Sequence, residues 1–461
     1  MATQIATPAA PVRTWNTLQL LKGCRVAVLA LLGVLLVAIL WGAQVHHDAM
    51  KTIGRDAAPS IIAAQHIKAA LADMDADAAN ILLAPPNTAN AATNGFDERR
   101  MEASEALIAA AGNVKYDDER EPIKTLGGTM GVYDRIIQEA ADFHDAGNAE
   151  DVRYYRGSAL VMDGTLLAAA DDLDRANNKK LDDTYKSDAW RSGAARAFVA
   201  LAGLAALLAL VWTQTFLSRR TRRTLNPMLA VATLMTFGLC WYALGAMGGE
   251  EHDLKVATED AFASIHALWQ ARAVAYQANA EESRWLLDPA HAEEYQQGFN
   301  QEVDALAKLP PGEPGGAGQT IDALISREVA KEHVAGFSGF LADELNNITF
   351  DGERAAAAQT LRDFEQYVAI DAQIRQLEHD HKHAEAVQLC LGTNPGQSDW
   401  AFAQFDRSLD ATLKINQAAF DGAVRDGLDA LDGMDIKASI ATALTALLAF
   451  LGLGRRMREY E

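Results

Sequence analysis

The chain has 461 residues, 49% of them hydrophobic, and a formal net charge of −21 at pH 7. So acidic a chain is not expected to bind nucleic acid, and its length allows two or three domains. Three cysteines, two of them inside apolar runs, exclude a disulfide framework and leave stability to helix packing.

An N-terminal tail (1–23) carries basic residues and no acid. The run 24–43 is then long enough for a first membrane span, since a helix needs about 20 apolar residues to cross a ~30 Å hydrocarbon core. No small-residue cleavage site follows it, so it is expected to stay as an anchor rather than leave as a signal peptide. Region 44–196 is polar and helical in pattern, with Ile67, Leu71, Met74, Ala78 and Ile81 spaced as a bundle seam. Pro59 is expected to kink its first helix, and breaks fall at 83–90 and 145–151. A second span at 197–217 leads into the loop 218–227, where Arg219, Arg220, Arg222 and Arg223 lie within five positions. A third span covers 228–247. Region 248–436 is again helical, with breaks at 287–290 and 392–399 and Ser398 placed to cap the last helix. From Ser398 no proline interrupts the pattern, so an unbroken helix is expected through Lys437 into the fourth span, 437–453. The tail 454–461 adds Arg455, Arg456 and Arg458.

Short loops rich in Lys and Arg stay on the cytoplasmic side of a membrane. The arginine loop and both tails satisfy that rule together only if the chain crosses four times. Both termini are then cytoplasmic, and two acidic regions lie outside a multi-pass cell-membrane protein. Cys390 would lie outside, open to an impermeant thiol reagent if its side chain is exposed, while Cys24 and Cys240 fall in spans.

Residues 56–85 align with 260–289 at a constant offset of 204, with identities including Asp56/Asp260, Ser60/Ser264, Leu82/Leu286 and Pro85/Pro289. Tyr133/Tyr367 and Ile136/Ile370 match at offset 234, and the jump locates an insertion near 309–350 in the second copy. The fold class expected is therefore all-α, with four transmembrane helices and two tandem extracytoplasmic four-helix bundles produced by internal duplication. Each outer half is expected to carry its own core.

Three stretches invite a chemical reading. Arg272, Tyr276, Asn279 and Ser283 fall on one helical stripe, which fits either recognition of an anionic ligand or partner, or a buried hydrogen-bonded stripe. His379, His381 and His383 sit among acids where a turn is expected, with metal binding the alternative to a solvated turn. "GEPGGAGQT" has the glycines of a phosphate loop without its Gly-Lys-Ser/Thr ending or a preceding strand, so it reads as a connector. No nucleophile–base pair, paired-carboxylate site or cofactor fingerprint is visible, so neither an enzyme nor a cofactor is expected. The arginines of the loop are candidates for contact with a cytoplasmic partner, beside their role in orientation.

The succession of span, outer bundle and span is the layout of bacterial chemoreceptors and sensor kinases. With "SIHALWQARAVAYQANAEESRWLLD" (264–288), "LADELNNITFDGER" (341–354) and "NPGQSDWAFAQFDRSLDATLKINQAAFD" (394–421), the whole chain resembles the GlnX-like four-span membrane proteins of actinobacteria. The resemblance implies a non-catalytic relay, in which an extracytoplasmic amino-acid-binding lipoprotein docks outside and a cytosolic Ser/Thr protein kinase responds inside. A direct small-molecule sensor of chemoreceptor type and a structural or adhesive envelope protein are the alternatives. Oligomer formation remains open.

Overall fold

The computed structural model describes residues 17–88, 91–221, 226–309, 317–330, 332 and 334–458. Helix α1 (Thr17–Lys51), a π-helical turn (Thr52–Ala57) and α2 (Ala58–Leu83) form one run. Helices α3 (Ala91–Gly112) and α4 (Arg120–Asp145) follow. A second run joins α5 (Asp151–Val161), a π turn (Met162–Leu167) and α6 (Ala168–Thr221). A third joins α7 (Pro227–Lys255), a π turn (Val256–Phe262) and α8 (Ala263–Leu287). Then come α9 (Ala292–Ala307), α10 (Ala317–Val329), α11 (Phe340–Asn346), α12 (Glu353–His379), α13 (His383–Cys390), α14 (Ser398–Leu431) and α15 (Met434–Met457). Among the described residues the only β pairing is an isolated bridge between Lys308 and Ser338. The all-α class is as expected.

Four helical runs are long and apolar enough to cross a membrane, and they contain the four spans read from the sequence. The chain is a multi-pass membrane protein. It divides into two compact units, one of Met1–Met50, Lys186–His252 and Asp426–Glu461, the other of Lys51–Tyr185 and Asp253–Arg425.

The first unit is apolar inside and outside. Leu32, Leu35, Ile39, Val199, Leu210, Leu239 and Leu453 form its core, while Val37, Leu201, Leu208, Leu234 and Leu447 are exposed. An exposed shell this apolar suits lipid rather than water. Polar ties between its helices include Gln214 donating to Thr233 (2.8 Å), Asn226 to the Gly452 carbonyl (2.9 Å) and Lys437 to the Tyr242 hydroxyl (3.3 Å), with His46 paired to Glu250 in a buried contact and Arg196 to Glu251. The final helix is not the expected unbroken rod. It stops at Leu431, and Gly433 takes φ +65° before α15 begins. Glycine adopts this left-handed conformation without the clash that a Cβ brings, so the chain turns here although no proline is present.

In the second unit the two long polar regions are packed together rather than standing as separate bodies, with α2 lying along α8. The reason is compositional. Ala69, Ala70, Ala72, Ala76 and Ala78 on α2, and Ala271, Ala275, Ala278 and Ala280 on α8, are buried, and such small side chains let two helix backbones approach closely. The stretch 309–350, expected as an insertion, contains α10 and α11, and a bridge between Lys308 and Ser338 closes the part of it that holds α10. Gly339 (φ +107°) beside the bridge admits no side chain, since a Cβ would lie 2.6 Å from the Ala305 carbonyl oxygen.

Two local structures recur at the offsets found in the sequence. The π turns at Thr52–Ala57 and Val256–Phe262 are 204 residues apart. Pro59 follows the first, but Ala263 holds the equivalent place after the second, so proline is not what makes the turn. The stretches "VKYDDER" (114–120) and "ITFDGER" (348–354) also correspond, at offset 234. In each a buried glutamate turns back to accept two backbone N–H groups ahead of its helix. Glu119 binds those of Lys115 and Tyr116 (2.8 and 2.9 Å), and Glu353 those of Thr349 and Phe350 (2.6 and 2.9 Å). Ser398, by contrast, caps nothing. It is the first residue of α14 and is buried beside Glu282.

Candidate functional site

The stripe Arg272, Tyr276, Asn279 and Ser283 lies inside the polar unit. Arg272 donates to Asp406 (2.8 Å) and covers the Trp269 ring, with its guanidinium carbon 5.3 Å from the centroid. Tyr276 packs on Phe402 beside Asp73, Asn279 is buried near Tyr367, and Ser283 donates to Asn80 (2.5 Å). A cavity beside Arg272 and Tyr276 measures about 20 Å³, room for a water and not for a metabolite.

The other sequence candidates are dispersed. His379 ends α12, His383 begins α13, and His381 sits in the turn between them with φ 60°. His379 and His383 thus do not share a helix face, and His383 pairs with Glu378 (2.9 Å). Arg219 is exposed near the end of α6. Arg222 and Arg223 lie outside the described residues, as does the side chain of Arg220, and so does most of the glycine-rich connector.

Sequence reasoning missed the acids of the seam between α2 and α8. Each half of the unit puts a carboxyl of its long first helix under a glycine of the next one. A Cβ on Gly95 would overlap the Asp77 carboxylate, and one on Gly298 would sit 3.1 Å from Glu281 Cδ and Oε2. The residue after each glycine is a phenylalanine that meets a buried tyrosine. Phe96 stacks on Tyr133 at 6.5 Å between ring centroids, and Phe299 meets Tyr367 at 6.3 Å. The repeated Gly-Phe pair was legible in the sequence.

Burial without enough positive charge pushes these carboxyls up. Asp77 rises to about 9 through burial and the neighbouring Asp73 and Asp399 charges, and Asp73 to about 7 through burial that Arg99 only partly offsets. Glu102 goes the other way, held down to about 2 by its hydrogen bond to His66 and by Arg99. In the other half Glu281 rises to about 7 and Glu302 to about 9, and Glu282, wholly buried beside Asp371, to about 8.

The acids around Glu281 border open space. A cleft of about 510 Å³ lies between α5, the π turn Met162–Leu167, α8 and α9. At its floor Arg284, 4% exposed, is held by Asp75 and Glu281 and donates to the Tyr155 hydroxyl (3.0 Å). Asp75 also accepts from Tyr133 (2.8 Å). On the wall Arg156 grips Asp288 through Nε (2.7 Å) and Nη2 (3.3 Å). Asp163 stands in the π turn itself, a local geometry concentrated at functional sites. A second cavity of about 490 Å³, between α3 and α4, is lined by Arg100, Asp97 and Asp134, which pair among themselves. Perturbed titratable groups lining a cleft of ligand size mark the first cavity as the candidate site.

Comparison with known proteins agrees with a receptive role for this unit. A family model described as an actinobacterial sensor domain matches residues 49–186. That match covers α2 to α5, the π turns at each end of that stretch and part of α6. No curated protein and no solved structure matches the chain. The matched segment lies between two membrane-length apolar stretches, which gives the chain the character of a membrane-bound sensing protein.

Proposed function

We propose that the chain is a non-catalytic transmembrane signalling protein that receives its stimulus at the polar unit outside the cell. The observation carrying this reading is the sensor-domain match over residues 49–186, within the unit that holds the cleft. Its spans cross four times with both termini in the cytoplasm, an orientation supported by the arginines at 219–223 and in both tails. The chain arose by duplication. The 204-residue spacing of the π turns, the paired glutamate caps and the two Gly-Phe positions support this.

In the relay form of this function an amino-acid-binding lipoprotein docks on the polar unit, and a cytosolic Ser/Thr protein kinase reads the cytoplasmic face through the arginine loop. In the direct form a small molecule enters the cleft itself, which the perturbed carboxyls around Glu281 favour. Co-purification from cross-linked membranes separates the two. Recovery of a binding protein outside and a kinase inside supports the relay, and recovery of the kinase alone supports direct sensing. If neither is recovered and no ligand alters the protein, the signalling function is overturned. Lysine substitution at Arg219, Arg220, Arg222 and Arg223 keeps charge and orientation but loses the guanidinium fork. The expected result is unchanged topology with weakened kinase recovery.

A further inference from the structure

The candidate cleft has a lopsided charge. Asp163 in the π turn, Glu281 on α8 and Glu294 on α9 line it with two guanidiniums, while Asp75 on α2 and Asp288 after α8 pair with those guanidiniums, and Glu302 on α9 is a further acid near Glu281. Both guanidiniums are committed. Arg156 is clamped by Asp288, and Arg284 is shared by Asp75 and Glu281, with Asp163 a looser neighbour at 3.6 Å. The Glu302 Oε2 atom is buried and has no hydrogen-bond partner. His291, at the edge, is 3.1 Å from the same Asp288. Beside these groups Ala159, Leu160 and the ring of Tyr295 supply an apolar wall, and Leu160 is 77% exposed. Gly298 is what lets the Glu281 carboxylate lie against α9.

We propose that this cleft is a binding site for a small organic cation, an alkyl amine whose ammonium groups meet the carboxyls of Glu281, Asp163 and Glu294. The proposal rests on the direct form of the function above and names its ligand class. An anion would face the carboxyls of Asp163, Glu281 and Glu294, with both guanidiniums already paired to carboxylates. An ammonium group gives the surplus acids the hydrogen-bond donors that they lack, and the apolar wall accepts an alkyl chain. A cleft of about 510 Å³ also exceeds what a bare ion fills.

Binding carries a proton balance. Glu281 titrates at about 7, Asp163 at about 6 and their neighbour Glu302 at about 9, because burial outweighs the help of Arg284. Near neutral pH Glu302 therefore keeps its proton and Glu281 holds one about half the time, while Asp163 is mostly ionised. The arriving ammonium keeps all its own bonds and forms hydrogen bonds to the carboxylates, while each displaced carboxyl proton passes to solvent. Affinity rises with pH as those protons leave in advance. Tyr133 donates to Asp75 and Tyr295 to Asp288, while the Tyr155 hydroxyl accepts from Arg284.

The test is titration calorimetry of the full-length protein in lipid nanodiscs with spermidine and putrescine, in two buffers of different ionisation enthalpy. The expected result is saturable binding, net proton release, and tighter binding at pH 8 than at pH 6. Glu281→Gln and Asp163→Asn should each weaken binding at least roughly tenfold, the scale of one charge-assisted hydrogen bond. Asp97→Asn, in the other cavity, should leave it unchanged. Glu294→Gln, on an exposed side chain that folding does not need, should weaken it measurably even if a buried variant misfolds. Absence of saturable binding of both amines overturns the proposal, as does binding indifferent to the cleft variants. The measurement involves no signalling output. Amine binding without any change in kinase recovery would therefore count against the function above and not against the site.

Discussion

Residues 51–185 and 253–425 each place a carboxyl under a glycine, Asp77 under Gly95 and Glu281 under Gly298, and then treat the acid differently. Asp77 is pressed by Asp73 and Asp399 and is driven to about 9, so it stays protonated at neutral pH and acts as a polar filler. Glu281 has Arg284 three residues along its own helix and reaches only about 7. One backbone device thus gives a fixed neutral group in one half and a group poised to titrate at a cleft in the other. The neighbouring charge, and not the local fold, decides which.

The strongest way to break the comparison is Arg284→Met. It leaves Asp75 and Glu281 buried without their cation, and losing one partner of a buried pair costs about 3–5 kcal/mol. Urea unfolding of the full-length protein should show a loss of that size, and Asp77 with its surroundings should be unaffected.

The glycines come next. Gly95→Ala and Gly298→Ala should each destabilise by about 1–3 kcal/mol, the usual cost of overpacking. Gly95→Ala should be the worse, because its Cβ overlaps the Asp77 carboxylate more deeply than that of Gly298 overlaps Glu281. Thermal unfolding of the two variants checks the order.

A pH series sharpens the comparison further. Groups whose folded pKa lies above the unfolded value of about 4 give stability that is complete below that value and lost as pH rises through the folded one. Asp163, Asp73, Glu281, Asp399, Glu282, Glu344, Asp77 and Glu302 span about 6 to about 9. Glu102 opposes them only in acid, where its contribution disappears as pH falls through about 2. The melting temperature should therefore fall between pH 5 and pH 9, and Glu302→Gln should flatten that fall.

The smallest effect concerns Cys390. Its thiol is 1% exposed against Ser283 and Glu282, and burial pushes it well above its usual value. An impermeant maleimide should leave it unlabelled on intact cells and label it only after denaturation. This differs from the reactivity expected had the side chain been exposed.

The spans were legible because a run of about 20 consecutive apolar residues suits little besides the interior of a bilayer. The two sequence offsets, 204 and 234, recur in the spacing of the π turns and of the glutamate caps. The buried acids were not legible. Asp73 and Asp77 recur four apart on an alanine-rich helix, and alanine gives no contrast between a solvated face and a closely packed one. Likewise the helix stop at Gly433 was hidden, since a glycine in a helical pattern costs only about 1 kcal/mol and does not announce a left-handed turn. Of the stripe Arg272, Tyr276, Asn279 and Ser283, spacing showed that the residues share a face. It did not show that Asp406, Asp73, Tyr367 and Asn80 would meet them there.

The alanine-and-carboxyl seam between α2 and α8 also has a calorimetric consequence. Exposing apolar surface raises the heat capacity of a protein on unfolding, whereas exposing polar surface lowers it. A seam that buries methyl groups beside Asp73, Asp75, Glu281 and Arg284 combines the two and brings down the net change per residue. The seam therefore adds less to the heat capacity of unfolding than an all-apolar seam of the same area would.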